Sequence, residues 1–237
     1  LSRAFRHSNI YVRAGIETPA DVMGKRIGVM DYTQTAGIWV RGLLADDYGV
    51  TRQSVHWVTG GLNAPVAEGR MALDLPADIR IERTADTLDN LLKVGEIDAI
   101  ISPQAPQSFR DGHPQVRRLF ADYRQAEAET GLFPIMHCAI VKRDLIRRDP
   151  QLPGKLYAAF VKARDLAVTD LAHRDYAKIA LPWLMPHAED VTASVGKNIW
   201  SYGLADNTKT LQTFLRYCHA DGLCPVELRL DQVFVSD

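Results

Sequence analysis

The chain has 237 residues, of which 46% are apolar and 24% are charged, and its formal net charge is −1. These values are typical of a globular protein with a sizeable core, and they argue against a nucleic-acid-binding surface. No apolar run reaches the length of about eighteen residues that a membrane span needs, so none is expected. The three cysteines, Cys138, Cys218 and Cys224, are widely spaced and fit reduced thiols, which favours a cytoplasmic location.

The first half of the chain alternates short apolar strands with helices. Strands are predicted at 9–13, 25–30, 54–59, 79–82 and 97–102. A helical turn is predicted at 18–21. One helix is predicted to begin just after Thr33 or Thr35 and to end before Gly49, and another at 87–94 ends before Gly95. Thr33 and Thr35 are both candidates for the N-cap of the helix that ends before Gly49. This alternation predicts a parallel sheet in an α/β fold.

The second half is mostly helical. Residues 103–114 are predicted to form a polar loop, residues 116–130 to be partly helical and residues 134–142 to form a strand. After Arg143, the apolar spacing predicts helices at 153–172, 175–180, 189–200 and 208–219. We interpret strands 9–13 and 135–142 as crossings between two lobes, which meet over a small-molecule site. Lobe 1 then comprises residues 1–22 and 135–237, and lobe 2 comprises residues 23–134.

The corner between the strand at 25–30 and the following helix is a candidate anion site. In an α/β sheet, a helix that begins at the carboxyl end of a strand directs unpaired backbone N–H groups and its positive dipole end at the ligand crevice. The side chains of Thr33, Gln34 and Thr35 would add hydrogen-bond donors. The alternative is an ordinary strand–turn–helix corner with a capping threonine.

Several motifs resemble those of 4,5-dihydroxyphthalate decarboxylase and its relatives, in the same order and over essentially the whole chain. They are Phe5-Arg6-His7-Ser8, Tyr32-x-Gln34-Thr35-Ala36-x-x-Trp39-x-Arg41-Gly42, Trp57-x-x-Gly60-Gly61, Phe133-Pro134-Ile135-Met136-His137 and Phe214-Leu215-Arg216-Tyr217. The resemblance implies a two-lobed α/β fold like that of type II periplasmic binding proteins, with mixed sheets, flanking helices and a helical C-terminal part. It also implies that the family's opening βαβ segment, which supplies the first strands of lobe 1, is missing here.

The resemblance implies two functions. The first is non-oxidative decarboxylation of a hydroxylated aromatic dicarboxylate, such as 4,5-dihydroxyphthalate, to protocatechuate without an organic cofactor or a metal. The alternative is a non-catalytic solute-binding protein of an ABC-type transporter, which would be periplasmic. A small aromatic carboxylate is the expected partner in both cases, and the sequence leaves open whether the chain forms a homo-oligomer.

Decarboxylation requires a proton donor above the aromatic ring, and histidine suits this role because its pKa lies near neutrality. His7 directly precedes the first crossing strand and His137 lies in the second. We expect one of them to be the acid and the other to orient a ring hydroxyl. Each is also compatible with a histidine that is hydrogen-bonded to the backbone at a strand end.

The predicted substrate-binding residues are Arg6, Tyr32, Gln34, Thr35, Arg41 and Ser102. Arginine suits the carboxylate that stays on the ring, through its bidentate fork, and Arg6 is the better-placed candidate. Arg41 lies two turns into its helix, so the alternative for it is a solvated charge on the helix face. Ser102 ends a strand, where ligands bind, but serine before proline is also ordinary turn chemistry.

Overall fold

The structure is a computed structural model that describes residues 1–66, 74–171, 179–195 and 200–235. Within these ranges the chain forms two compact units. The sheet unit contains residues 2–136 and 209–232, and the helical unit contains residue 1, residues 137–208 and residues 233–235. The predicted division into lobes stays a prediction.

Strands and α-helices alternate through the first half of the described chain. The strands in these ranges are β1 (Ser2–Arg3), β2 (Ile10–Arg13), β3 (Arg26–Val29), β4 (His56–Thr59), β5 (Arg80–Arg83), β6 (Ala99–Ile101), β7 (Val116–Arg118) and β8 (Ile135–His137). The α-helices in the same ranges are α1 (Thr35–Tyr48), α2 (Leu88–Val94), α3 (Gln107–Arg110), α4 (Tyr123–Thr130), α5 (Arg143–Arg148), α6 (Leu152–Leu171), α7 (Leu184–Val195), α8 (Thr208–Ala220) and α9 (Leu230–Val233). None of these helices combines the length and the apolar character needed to cross a bilayer.

The main sheet has six strands in the order β5-β4-β3-β6-β2-β7. Neighbouring strands are parallel except at β2, which runs antiparallel to both β6 and β7. One face of the sheet packs on α1 through a buried cluster that includes Val29 and Val40, and the other packs on α2 through Ile100 and Leu92. The α/β class, the mixed sheet and the flanking helices are confirmed.

One row of residues crosses this sheet at the edge where its parallel strands end. The pairing register places Thr59 beside Val29, Val29 beside Ile101 and Ile101 beside Ile10. Leu119 extends the row, because its N–H donates to the Ile10 carbonyl at 2.9 Å. Since β2 is antiparallel, the residues before Ile10 reach the same edge as the residues after β3, β4 and β6.

Several boundaries differ from the predicted ones. Residues 116–118 form the edge strand β7 instead of helix, and the predicted polar loop contains α3. β8 ends at His137, and the residues from Cys138 to Ile140 that follow it are exposed. β8 pairs with β1 while β2 pairs with β6 and β7, so the two predicted crossing strands do not pair with each other. Most of the helix predicted at 175–180 lies outside the described residues.

Helices α1 and α8 approach each other closely at Gly42, where a Cβ atom would overlap the Tyr217 ring. We therefore expect Gly42→Ala to lower the free energy of unfolding by about 1–3 kcal/mol, as overpacking of a core does. Urea denaturation measures this change. The control is Gly154→Ala in α6, where no described atom lies within 4 Å of the added Cβ, and which is expected not to lower stability. Equal stability of the two variants would contradict the close packing of α1 on α8.

Candidate functional site

The N-terminus of α1 is open. The N-cap residue is Gln34 and not Thr33 or Thr35. Thr35 is already the first residue of the helix, and the N–H and the hydroxyl of Thr33 both donate to Asp31 Oδ1 at 2.7 Å. No described side chain caps this helix. Gln34 and Thr35 are half-buried. The backbone N–H groups of the first turn thus have no side-chain cap, and the helix dipole favours an anion at this end.

Arg41 holds the loop that precedes α1. Its side chain is 1% exposed, so it is not a solvated charge on the helix face. Nη2 donates to the Tyr32 carbonyl at 2.8 Å and to Asp221 Oδ2 at 2.5 Å. Nη1 has no partner among the described residues and points at Gly37 in the first turn, 3.0 Å from where a Cβ atom would lie. Arg41 therefore connects the loop, the first helical turn and Asp221.

Asp221 is shared by two arginines in the interior. Its carboxylate is 0% exposed and forms ion pairs with both Arg41 and Arg52. The Arg41 guanidinium carbon lies 3.9 Å from the centroid of the Tyr32 ring, and burial raises the pKa of Tyr32 to about 12. Arg52 and Asp221 were not predicted, since 169 residues separate them and neither belongs to a recognisable motif.

His7 is buried at the start of β2. Its side chain is 3% exposed, and its ring meets Phe120 edge-on with centroids 5.1 Å apart. Nε2 has no hydrogen-bond partner among the described residues. Burial lowers the pKa of His7 below its ordinary value of 6.5, and the charge of Glu129 partly opposes this shift. His7 is therefore neutral in the free protein at neutral pH.

The lowered pKa of His7 predicts a pH dependence of stability. Between the native pKa and 6.5 the unfolded chain binds more protons than the native one, so stability decreases as the pH falls through 6.5. We expect the free energy of unfolding of the wild type to decrease relative to that of His7→Asn as the pH is lowered from 7.5 to 5.5. Urea denaturation at several pH values measures it, and a difference that stays constant would contradict the buried neutral imidazole.

Arg6, Asn9 and Ser102 lie in or beside the short turn that contains His7, at the carboxyl edge of the sheet. Arg6 donates to Asn9 Oδ1 at 2.9 Å and to Met136 Sδ at 3.0 Å, and burial lowers its pKa. The Ser102 N–H donates to the Asn9 carbonyl at 3.0 Å. Ser102 is 0% exposed, and its Oγ accepts a hydrogen bond from the N–H of Gln104. The structure thus brings Arg6, His7 and Ser102 together at one turn.

His137 ends β8 and belongs to the helical unit. Its side chain is exposed, and its carbonyl accepts a hydrogen bond from the amino group of Leu1 at 2.5 Å. The catalytic role predicted for His7 or His137 stays a prediction, as do the binding roles of the six other residues. Among the described residues, no cluster of three or more His, Cys, Asp or Glu side chains is arranged to hold a metal ion.

Two curated proteins are similar to this chain. A 4,5-dihydroxyphthalate decarboxylase of Comamonas testosteroni is 42% identical in an alignment 241 residues long, gaps included, which covers 98% of this chain and 73% of that protein. The chain belongs to the 4,5-dihydroxyphthalate decarboxylase family. A second member of the family, from Pseudomonas putida, is 45% identical over 132 residues, which cover 54% of this chain and 51% of that protein. No protein-family model matches the chain.

Two solved structures align with most of this chain. The periplasmic aliphatic sulphonate-binding protein SsuA from Escherichia coli is 14% identical, with a TM-score of 0.49, over 97% of this chain and 69% of that one. A mutant of DSZB in complex with biphenyl-2-sulfinic acid is 18% identical, with a TM-score of 0.44, over 100% of this chain and 75% of that one. At these identities neither similarity says anything about the activity of this family member.

Proposed function

We propose that the chain catalyses the non-oxidative decarboxylation of a hydroxylated aromatic dicarboxylate, 4,5-dihydroxyphthalate or a close analogue. The observation that carries the proposal is the 42% identity, over 98% of the chain, to a 4,5-dihydroxyphthalate decarboxylase. The cluster of Arg6, His7 and Ser102 supports it, because a cation and an imidazole beside one sheet edge suit an anionic substrate that must be protonated.

The reaction balances without an oxidant or a reductant. The ring hydroxyl para to the departing carboxylate donates electron density to the ipso carbon, and an acid forms a C–H bond there. The C–C bond to the carboxylate then breaks, its electron pair returns to the ring and CO2 leaves. One dicarboxylate and one proton give CO2 and one monocarboxylate, protocatechuate.

In this proposal each residue of the site has one task. Arg6 binds the carboxylate that stays on the ring, and Gln34, Thr35 and the open N-terminus of α1 attract the anion. His7 donates the proton and His137 is the alternative donor. Because a nearby negative charge favours the imidazolium form, a dicarboxylate bound beside His7 would raise its pKa again and promote protonation.

Arg41 and Tyr32 act from behind this site in the proposal. The contact from Arg41 Nη2 to the Tyr32 carbonyl fixes the loop that presents Gln34 and Thr35. A cytoplasmic location is part of the proposal, and three free cysteines, of which Cys138 is exposed, support it.

Incubation of the protein with 4,5-dihydroxyphthalate tests the proposal, with CO2 and protocatechuate as the measured products. Phthalate is the matched control, because it carries both carboxylates but no hydroxyl to donate electrons to the ipso carbon. We expect stoichiometric CO2 and protocatechuate from the first compound and neither product from the second. Bound but unchanged 4,5-dihydroxyphthalate would reject the decarboxylase and favour a solute-binding protein.

A further inference from the structure

Arg118 ends the edge strand β7, directly opposite Tyr11 of β2. Its Nε donates to the Ser8 carbonyl at 3.2 Å, and Ser8 follows His7 in the sequence. The Arg6 side chain is anchored to the same short turn through Asn9 Oδ1. Two guanidinium groups from distant parts of the chain are therefore attached to the turn formed by residues 7–9.

Three aromatic rings hold the Arg118 guanidinium in place. Its central carbon lies 4.9 Å from the ring centroid of Phe109, 5.5 Å from that of Tyr123 and 6.0 Å from that of Tyr11. Contacts of this kind favour a cation, and they remove water from around it. A guanidinium that is packed in this way loses little conformational entropy when it binds a ligand.

Arg118 has no acidic partner among the described residues, unlike two other arginines of the same sheet. Arg117, its direct neighbour, forms an ion pair with Glu17, and Arg26 forms one with Glu82. Of the three side-chain nitrogens of Arg118, only Nε is hydrogen-bonded to a described protein group. Its two terminal nitrogens are also absent from the buried unpartnered atoms, so they reach solvent. The free end of the guanidinium has the geometry that recognises a carboxylate with two hydrogen bonds.

We propose that Arg118 is a second substrate-binding residue, which joins Arg6 in holding the carboxylate retained on the aromatic ring. This inference rests on the proposed aromatic carboxylate substrate. The retained carboxylate is the consistent choice, because an arginine on the departing carboxylate would stabilise the negative charge that this group must lose as CO2 forms.

The test compares Arg118→Gln with Arg117→Gln, which removes the same charge one residue away. For Arg118→Gln we expect KM for 4,5-dihydroxyphthalate and the dissociation constant of protocatechuate to rise about ten- to hundredfold, with kcat changed much less. Arg118→Lys, which keeps the charge but not the fork, is expected to lie between this variant and the wild type. Arg117→Gln is expected to leave both constants unchanged.

Two probes separate binding of the carboxylate from a loss of structure and from a failure of the proposed reaction. Catechol has both hydroxyls and no carboxylate, so its affinity is expected to be the same in the wild type and in Arg118→Gln. Phthalate binding is measured by calorimetry and needs no turnover. If the wild type binds phthalate without decarboxylating 4,5-dihydroxyphthalate, and Arg118→Gln loses that binding, the inference stands while the proposed reaction fails.

The inference is overturned if both Arg118→Gln and Arg118→Lys keep wild-type KM and wild-type affinity for protocatechuate. An equal loss of catechol affinity would also overturn it, because the defect would then be independent of the carboxylate. A wild-type protein that binds neither phthalate nor 4,5-dihydroxyphthalate has no carboxylate site for Arg118 to serve, and this result would reject both proposals.

Discussion

Replacing Asp221 by asparagine is expected to lower the free energy of unfolding by about 3–5 kcal/mol. The carboxylate is fully buried and compensates two arginine side chains, Arg41 and Arg52, that are at least nine-tenths buried themselves. Removing its charge leaves two cations in the interior without a counter-ion. The free-energy cost of taking those cations out of water is then no longer offset by attraction to the carboxylate. For this reason, removing one partner of a buried ion pair is strongly destabilising.

Chemical denaturation of Asp221→Asn measures this effect, and Asp231→Asn is the matched control. Asp231 pairs with Arg229 on the surface, where both side chains are about two-thirds exposed, so its loss is expected to leave stability within error of the wild type. Since Arg41 also holds the Tyr32 carbonyl, the folded fraction of Asp221→Asn is expected to bind the substrate more weakly. Equal stability of the two variants would mean that the buried ion pair is not formed.

The second large effect is expected in catalysis. His7→Asn should reduce kcat for 4,5-dihydroxyphthalate by about 10²- to 10⁴-fold, which is the usual contribution of a general acid. Asparagine can still form hydrogen bonds but has no proton to give at neutral pH. Phthalate binding, measured by calorimetry, is expected to change little, because Arg6 and the start of α1 remain in place.

Two further histidine variants make this experiment decisive. His113→Asn is the control and is expected to keep full activity, since the only hydrogen bond of the His113 side chain to a described residue is the one that it accepts from the N–H of Gln115 in its own loop. His137→Asn tests the alternative donor. Full activity in His7→Asn together with a large loss in His137→Asn would transfer the acid role to His137. Full activity in both would remove histidine from the proton transfer.

Features encoded by neighbouring residues could be predicted from the sequence. The apolar spacing of Trp39, Val40 and Leu43 predicted the helix α1, in which every residue from Ala36 to Leu44 is buried, and Gly49 ends this helix with a φ of 69°. The same holds for α2, which ends at Gly95 with a φ of 88°. A glycine stop and helical periodicity act over a few residues, so they can be recognised without knowing the tertiary structure. The N-cap of α1, in contrast, was predicted at Thr33 or Thr35 and is Gln34.

Features that depend on distant pairing could not be predicted. β7 is a strand of only three residues, two of them arginines, and it forms because β2 offers it hydrogen bonds. The burial of Arg41 depends on Asp221, which lies 180 residues further along the chain. The role that we propose for Arg118 was missed for the same reason, since its aromatic neighbours come from three separate elements.

The interior position of β2 has a consequence for biosynthesis. Ile10 pairs with Ile101 and Tyr11 with Arg118, so both partners of this apolar strand are translated long after it. Until β7 has left the ribosome, the nascent chain exposes an unpaired strand that is prone to aggregation. We therefore expect ribosome-bound chains that stop before residue 116 to bind a chaperone, and chains long enough for β7 to have emerged from the exit tunnel to be released from it.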